Sequence, residues 1–538
     1  MTNVGSSPLS ITISFINTCL GAGVVASASA FRSQGVLLGG ITNILYLIIS
    51  IIAFNWIIES GDHRRKYSFQ ALLLDVFPKN RSYGIGMNIT VLLYAWFCIL
   101  TYAVIISSSL PSLLIWVFPS INGKWFVSGH VCLVIIATVV LLPLSLQKTV
   151  GALAYASSTA ALVAVYMAIY GIYAMFQTNV NDISFLDPET EQGEVYLFKF
   201  ETFFVGVGLY GFMYAAHVGA FGLYKALRDR SVASFRRIII VAFSCIGTVL
   251  TVIGISYYLL IGDSVRGNFL ENLDSSRSGV LLANFLLFSL VTVSFPILAL
   301  YVRDSIADLF FNDTKMDKVE GEQGVALPEI IQTRIPKSYS RSSFIDAEHV
   351  DEFSETDRLT DHTDDDENVS LSDVDIDTDA LRRSLDKKRE ESHTPSILDI
   401  DETTIDIQPI PAAAEEEVDH SLDLGKTDGF TYEAALEEYS KPEATGTDRL
   451  TSKQRVLVTL GIVYFTVFVA LLVPDVLIVF SFSGSLVASI IVFVFPAFVR
   501  LYCGLPVTKL TKSMCIFSIV VGCMTAAVGT TQAVQDLF

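Results

Sequence analysis

Gly21-Ala22-Gly23 interrupt an apolar stretch, Ser14 to Phe31, that is long enough to cross a bilayer. Glycines there cost a continuous helix roughly 1 kcal/mol each. In lipid a freed backbone group costs more still, unless it is buried in protein or faces a watery cavity. A span broken at mid-membrane therefore points to a binding site. Its second half-helix would start near Gly23, with N–H groups and the positive dipole end aimed at an anion. Secondary transporters present half-helix ends to a substrate in this way. Small residues that merely let two helices pack closely would give the same stretch. The segment alone does not decide between these.

The surroundings of that stretch are those of a polytopic membrane protein. The chain has 538 residues, 52% of them hydrophobic. Its net charge of −19 belongs to one segment: residues 311–452 hold 38 acids and 14 bases, leaving 17 acids and 22 bases elsewhere. The seven cysteines are scattered, mostly in apolar runs, and read as small core residues rather than a disulfide frame or metal site. No cleavable signal peptide is expected, and nothing suggests a nucleic-acid partner. The surrounding partner is membrane lipid.

About eleven apolar runs of span length lie near 11–31, 37–58, 85–109, 127–146, 152–176, 201–221, 238–261, 280–302, 456–473, 476–499 and 513–531. The segment 111–119, bracketed by prolines and rich in aromatics, is expected to lie at the interface. With a cytoplasmic N-terminus, short inner loops carry fourteen Lys and Arg against five in outer loops. The C-terminus then falls outside the cytosol. The expected organisation is spans 1–8 in 1–310, a cytoplasmic acidic loop over 311–452, and spans 9–11 in 453–538. The loop's composition favours disorder. Ser354, Thr356, Thr363, Ser370 and Ser372 sit among its acids and suit acid-directed kinases, so kinases or adaptors are candidate partners. A solvated spacer is the plainer alternative.

Four motifs in order carry a family resemblance. Asn17-Thr18-Cys19-Leu20-Gly21-Ala22-Gly23-Val24 resembles the opening signature of the amino acid/auxin permease family. His217, Tyr224 and Lys225 to Asp229 resemble its passage at the inner end of span 6. Val291-Thr292-Val293-Ser294-Phe295-Pro296 followed by Arg303-Asp304-Ser305 resembles its span 8 pattern. Ser483-Gly484-Ser485 and Phe495-Pro496-Ala497 resemble its span 10 pattern. The sequence departs from the family at Ala26 and Ala28, where bulkier residues are usual, and at Ala216, where the family has Cys.

The resemblance implies an all-α, leucine-transporter-like fold: a five-plus-five inverted repeat with one further span, spans 1 and 6 being the broken pair. Gly206, Gly208 and Gly211 in the outer half of span 6 independently suit a second interrupted span. The implied activity is transport of neutral amino acids by alternating access, like the sodium-coupled symporters, with no covalent chemistry and so no enzyme. The substrate carboxylate would meet backbone N–H groups at Ala22, Gly23 and Val24, beside Gly21. Its ammonium would meet carbonyls near Thr18, Phe204, Gly206 and Gly208. Tyr94 and Tyr102 of span 3 are candidates for side-chain selectivity, with ordinary helix packing as the alternative.

The coupling ion is Na+ or H+. The only acid within the apolar runs is Glu201, at a margin, which argues against a carboxylate proton relay. Neutral oxygens suit sodium instead. Asn17 and Gly21, four apart, share a face. Thr292 offers a hydroxyl and also a carbonyl freed by Pro296. Ser289 shares its face, whereas Ser294 matches the family pattern but points elsewhere on a regular helix. Ser and Thr that cap freed backbone would explain the same residues. His217 is a candidate pH sensor or proton carrier, or a packed histidine with a hydrogen-bond partner. Rival roles are an amino acid sensor or scaffold signalling through the acidic loop, or a proton-coupled exporter of the vacuole or lysosome. Plasma membrane and vacuolar or lysosomal membrane are both open.

Overall fold

A computed structural model describes residues 6–21, 23–147, 160–181, 183–228, 230–310 and 450–535. The spans belong to one compact unit, Met1–Met316 with Pro442–Phe538; a second unit, Asp317–Lys441, lies outside the described residues. So does nearly all of the acidic segment expected as a loop, up to residue 449. Thr451 already caps the next helix through a capping box with Gln454.

All regular structure among the described residues is helical. Among the described residues nine helices are long and apolar enough to cross a membrane, and a bent pair makes a tenth. In chain order span 1 is Pro8–Cys19 with Gly23–Gln34, span 2 Val36–Arg64, span 3 Ser82–Val117 and span 5 Ala160–Asn181. Span 6 is Phe203–Ala226, span 7 Val232–Ser264, span 8 Ser278–Phe310, span 9 Ser452–Ala470, span 10 Val476–Tyr502 and span 11 Lys509–Gln535. The fourth expected run is a shorter apolar helix, Gly129–Ser145, which we call span 4. The protein is a multi-pass integral membrane protein.

The segment 111–119 is mostly continuous with span 3, which stays helical through Pro111 as far as Val117. Proline gives up one backbone hydrogen bond and so frees the carbonyl four residues back, that of Ser107. Gly129 packs directly on that oxygen, where a β-carbon would collide. The start of the fifth expected run, 152–176, falls on residues 148–159, which lie outside the described ones; from Ala160 onward the chain is helix.

Helix ends in a membrane protein need partners for their free backbone groups. At the C-terminal end of span 1 the chain turns through Gly35, whose φ of 80° suits glycine. An extended segment then serves both helices: Val36 N–H donates to Tyr196 O at 2.9 Å and Lys199 N–H to Gln34 O at 2.8 Å. The core beneath is aromatic. Phe15 of span 1 meets Phe54 of span 2 and Phe243 of span 7 with ring centroids 5.0 and 4.9 Å apart. This packing holds the first half of span 1 in place up to its break.

Candidate substrate site at the break in span 1

The two halves of span 1 meet at 58°. Leu20 closes the first half by donating its N–H to Ile16 O at 2.9 Å, and Gly21 follows without helical structure. Ala22, expected to offer an N–H, lies outside the described residues. Gly23 opens the second half as its first residue, a position with no acceptor within the helix. Val24 corrects the expected trio: its N–H donates to Gly21 O at 3.3 Å, so that group is already engaged. The break is asymmetric in exposure. Ser10, Ser14 and Thr18 of the first half are exposed, while every residue from Gly23 to Phe31 is buried. Thr18 turns its hydroxyl back to Ser14 O at 2.8 Å.

Span 6 loosens opposite this break, though not at its glycines. Phe203–Tyr214 is continuous α-helix, so the carbonyls of Phe204, Gly206 and Gly208 belong to an unbroken ladder rather than a gap. The glycines serve packing instead. A β-carbon on Gly206 would meet the Gln34 side chain at 2.6 Å, one on Gly208 the Ser485 N atom at 3.1 Å, and one on Gly211 the Gly484 O atom at 3.0 Å. The interruption comes later. Ala215 leaves the helix (φ −78°, ψ 34°), Ala216–Gly219 form a 3-10 turn, and Ala220–Ala226 resume. Gly206, Gly208 and Gly211 lie in the helix before this turn and Gly219 only closes it, which is why the sequence pointed to the wrong half of the span.

The two interruptions face each other. A β-carbon on Gly23 would sit 3.4 Å from the Met213 backbone, and the Cys19 thiol reaches the Ala216 backbone. Span 3 contributes both predicted tyrosines. Tyr94 donates its hydroxyl to Phe212 O at 3.3 Å, beside the loosened turn. The Tyr102 hydroxyl abuts Gly21. Backbone donors at the start of one half-helix, backbone acceptors beside a 3-10 turn and two phenols therefore surround one locus. Such a set can hold a small zwitterion.

The other predicted residues are more dispersed. Asn17 accepts a hydrogen bond from Ala161 N–H at 3.0 Å, so its amide oxygen caps span 5. Ser289, Thr292 and Ser294 all lie half-buried in span 8. Among the described residues the buried Thr292 hydroxyl has no hydrogen-bond partner, and Pro296 lies inside the same helix. Span 5 packs against both span 1 and span 8. His217 is fully buried, with Nε2 at 3.3 Å from Ser50 O and its ring beside Phe54 and Phe243.

Arg303 entered the sequence reading only as part of a motif. It is 1% exposed and donates to Ser145 O and Gln147 O, each at 3.0 Å, and to the Thr459 hydroxyl at 3.2 Å. It thereby ties span 8 to span 9 and to the carbonyls that end span 4. A lone arginine near a span end gives no sequence signal of such a role, because long basic side chains at that depth commonly reach the interface.

Several known proteins resemble this chain. Vacuolar amino acid transporter 7 of Saccharomyces cerevisiae is 24% identical over 54% of this chain and 57% of its own length. The putative sodium-coupled neutral amino acid transporter 11 of Mus musculus is 22% identical over 57% of this chain and 66% of its own. The aligned region thus spans less than two thirds of these relatives. Among solved structures, that of MhsT in complex with L-phenylalanine aligns with a TM-score of 0.39 at 13% identity, covering 57% of this chain and 75% of that one. The profile of the transmembrane amino acid transporter protein family matches residues 4–535. The chain, all but its extreme ends, therefore belongs to that family, the amino acid/auxin permeases.

Proposed function

We propose that this chain is a secondary active transporter of neutral amino acids, working by alternating access and coupled to sodium. The observation that carries the reading is the break at Gly21–Gly23 facing the 3-10 turn Ala216–Gly219, with Tyr94 and Tyr102 at its sides. The substrate carboxylate binds at Gly23 N–H and the ammonium at carbonyls beside the loosened turn. We take spans 1–10 as two inverted sets of five. The exposed Ser10, Ser14 and Thr18 and the buried second half of span 1 correspond to a state open on the N-terminal side, which we take as cytosolic from the bias of basic residues in the loops. For the ion, the unpartnered Thr292 hydroxyl and the carbonyl freed by Pro296 supply neutral oxygens, and Asn17 would have to leave Ala161 to join them. His217 we read as a packed, hydrogen-bonded residue.

The test is uptake of radiolabelled neutral amino acids into proteoliposomes under an inward sodium gradient, a pH gradient or neither. Saturable uptake driven by sodium supports the reading; no uptake under any gradient ends it. A second reading follows the vacuolar name of the yeast relative: a proton-coupled exporter in a vacuolar or lysosomal membrane, which predicts uptake driven by the pH gradient alone. Removing 315–450 separates transport from signalling. Uptake unchanged by the deletion makes the acidic segment a regulatory appendage, on which kinases or adaptors would act.

A further inference from the structure

Spans 2 and 11 both pack on span 10 and leave a slot between them. Its volume is about 370 Å³, and its walls include Leu45, Ile48, Ile52 and Trp56 of span 2 with Ser513 and Phe517 of span 11. We propose that this slot seats one anionic glycerophospholipid, with an acyl chain along the apolar walls and the phosphate at Lys509 and Lys512. The slot shares no residue with the break in span 1, and its occupancy does not depend on which solute the chain carries.

Helical periodicity sets the shape of the slot. Leu45, Ile48, Ile52 and Trp56 recur at intervals of three and four residues, so they form one face of span 2. At 1.5 Å per residue that face runs about 16 Å, close to half of the roughly 30 Å hydrocarbon core. The slot therefore has the depth of a single leaflet. Leu45, Ile48 and Phe517 are exposed, so its sides open to lipid. Trp56 and Ser513 form its polar end, and tryptophan favours the headgroup level.

Beyond that end the charge is positive. Lys509 lies four residues before Ser513, hence on the same face of span 11 and one turn nearer the membrane surface. Lys509 and Lys512 are exposed, and among the described residues neither has an ion-pair partner. Glu59, on the turn of span 2 after Trp56, faces two arginines: Arg236 at 2.5 Å and Arg500 at 3.9 Å. That acid is thus more than matched, and Arg500 keeps Nε and Nη1 without a hydrogen-bond acceptor among the described residues. An apolar slot of one-leaflet depth that ends in unmatched cations fits an acyl chain with a phosphate at its head. A sterol brings no charge to the lysines, and a zwitterionic lipid offsets its phosphate with its own ammonium. We take this side as cytosolic, and the cytosolic leaflet is the one that carries anionic lipid.

The experiment is native mass spectrometry of the full-length protein in detergent, titrated in turn with dioleoyl phosphatidylglycerol, dioleoyl phosphatidylcholine and cholesterol. The expected result is one phosphatidylglycerol per chain, bound about tenfold or more tighter than phosphatidylcholine. Lys509→Gln should weaken that first lipid about fivefold, and Ser513→Trp, which fills the polar end of the slot, should abolish it. Lys453→Gln removes an exposed lysine at the start of span 9, away from the slot, and should leave it unchanged. Equal binding of the two phospholipids, or cholesterol held more tightly than either, overturns the site. So does a loss in Lys453→Gln equal to that in Lys509→Gln, which would make the attraction a property of the whole basic side.

Discussion

The Tyr102 hydroxyl stands 2.8 Å from the point that a β-carbon on Gly21 would occupy. Span 3 therefore braces the break in span 1 so closely that a β-carbon on Gly21 would have to push the Tyr102 phenol aside. Overpacking of this kind costs about 1–3 kcal/mol. Gly21→Ala is expected to weaken amino acid binding about tenfold or more. Combining it with Tyr102→Phe, which removes the crowding oxygen, should restore part of the loss. Affinities of the two single variants and the double variant check this; strictly additive losses would mean the two residues act separately.

The glycines of span 6 make the opposite prediction. Gly208 packs on the Ser485 N atom, whereas Gly222 of the same span has nothing within 4 Å of its would-be β-carbon. Gly208→Ala should lower the thermal midpoint by the equivalent of about 1–3 kcal/mol, and Gly222→Ala should not lower it. Paired melting curves in one detergent decide the matter. Equal midpoints would show that span 6 does not depend on close contact with span 10.

These two glycines show what could be read from the sequence. Hydrophobic run lengths found the spans, because a helix in lipid satisfies its own backbone. The Gly21–Gly23 break was also legible, because small residues inside a span are conspicuous. The gap in span 6 was not. Ala215 and Ala216 are good helix formers, and their departure from the helix comes from tertiary packing. Gly206 and Gly208, which looked like a break, are the price of close approach to Gln34 and Ser485. The capping of span 5 by Asn17 was hidden for a similar reason: its partner, Ala161, is 144 residues away.

Thr292 tests the ion. Thr292→Val removes the hydroxyl and keeps the shape. Uptake should then need about tenfold more sodium or more, while Thr292→Ser should stay close to the unaltered protein. The measurement is initial uptake rate against sodium concentration. A Val variant with unchanged sodium dependence would remove Thr292 from the ion's shell.

The loop between spans 7 and 8 has a pH signature of its own. Burial pushes the Glu271 carboxyl above its ordinary value of 4.5, and neighbouring Asp475 adds to the shift, against Ser108, Arg266 and Asn268, which lower it. Solvent still reaches the side chain. A raised carboxyl means that the folded protein holds this proton more tightly than the unfolded chain does. The benefit is complete below about pH 4.5 and is lost as pH rises past the folded value. Glu271→Gln should therefore match the unaltered protein in thermal midpoint at pH 4 and exceed it at pH 8. An advantage for Gln that appeared only in acid would reverse the sign.

The central claim is that a zwitterion lies between the break of span 1 and the loosened turn of span 6. An experimental structure with a transported neutral amino acid bound at saturation tests it most directly. The account predicts density between Gly21–Gly23 and Ala215–Gly219, with the carboxylate within hydrogen-bonding distance of the Gly23 N–H. A continuous helix through residues 19–25, or ligand density found only elsewhere, would contradict it.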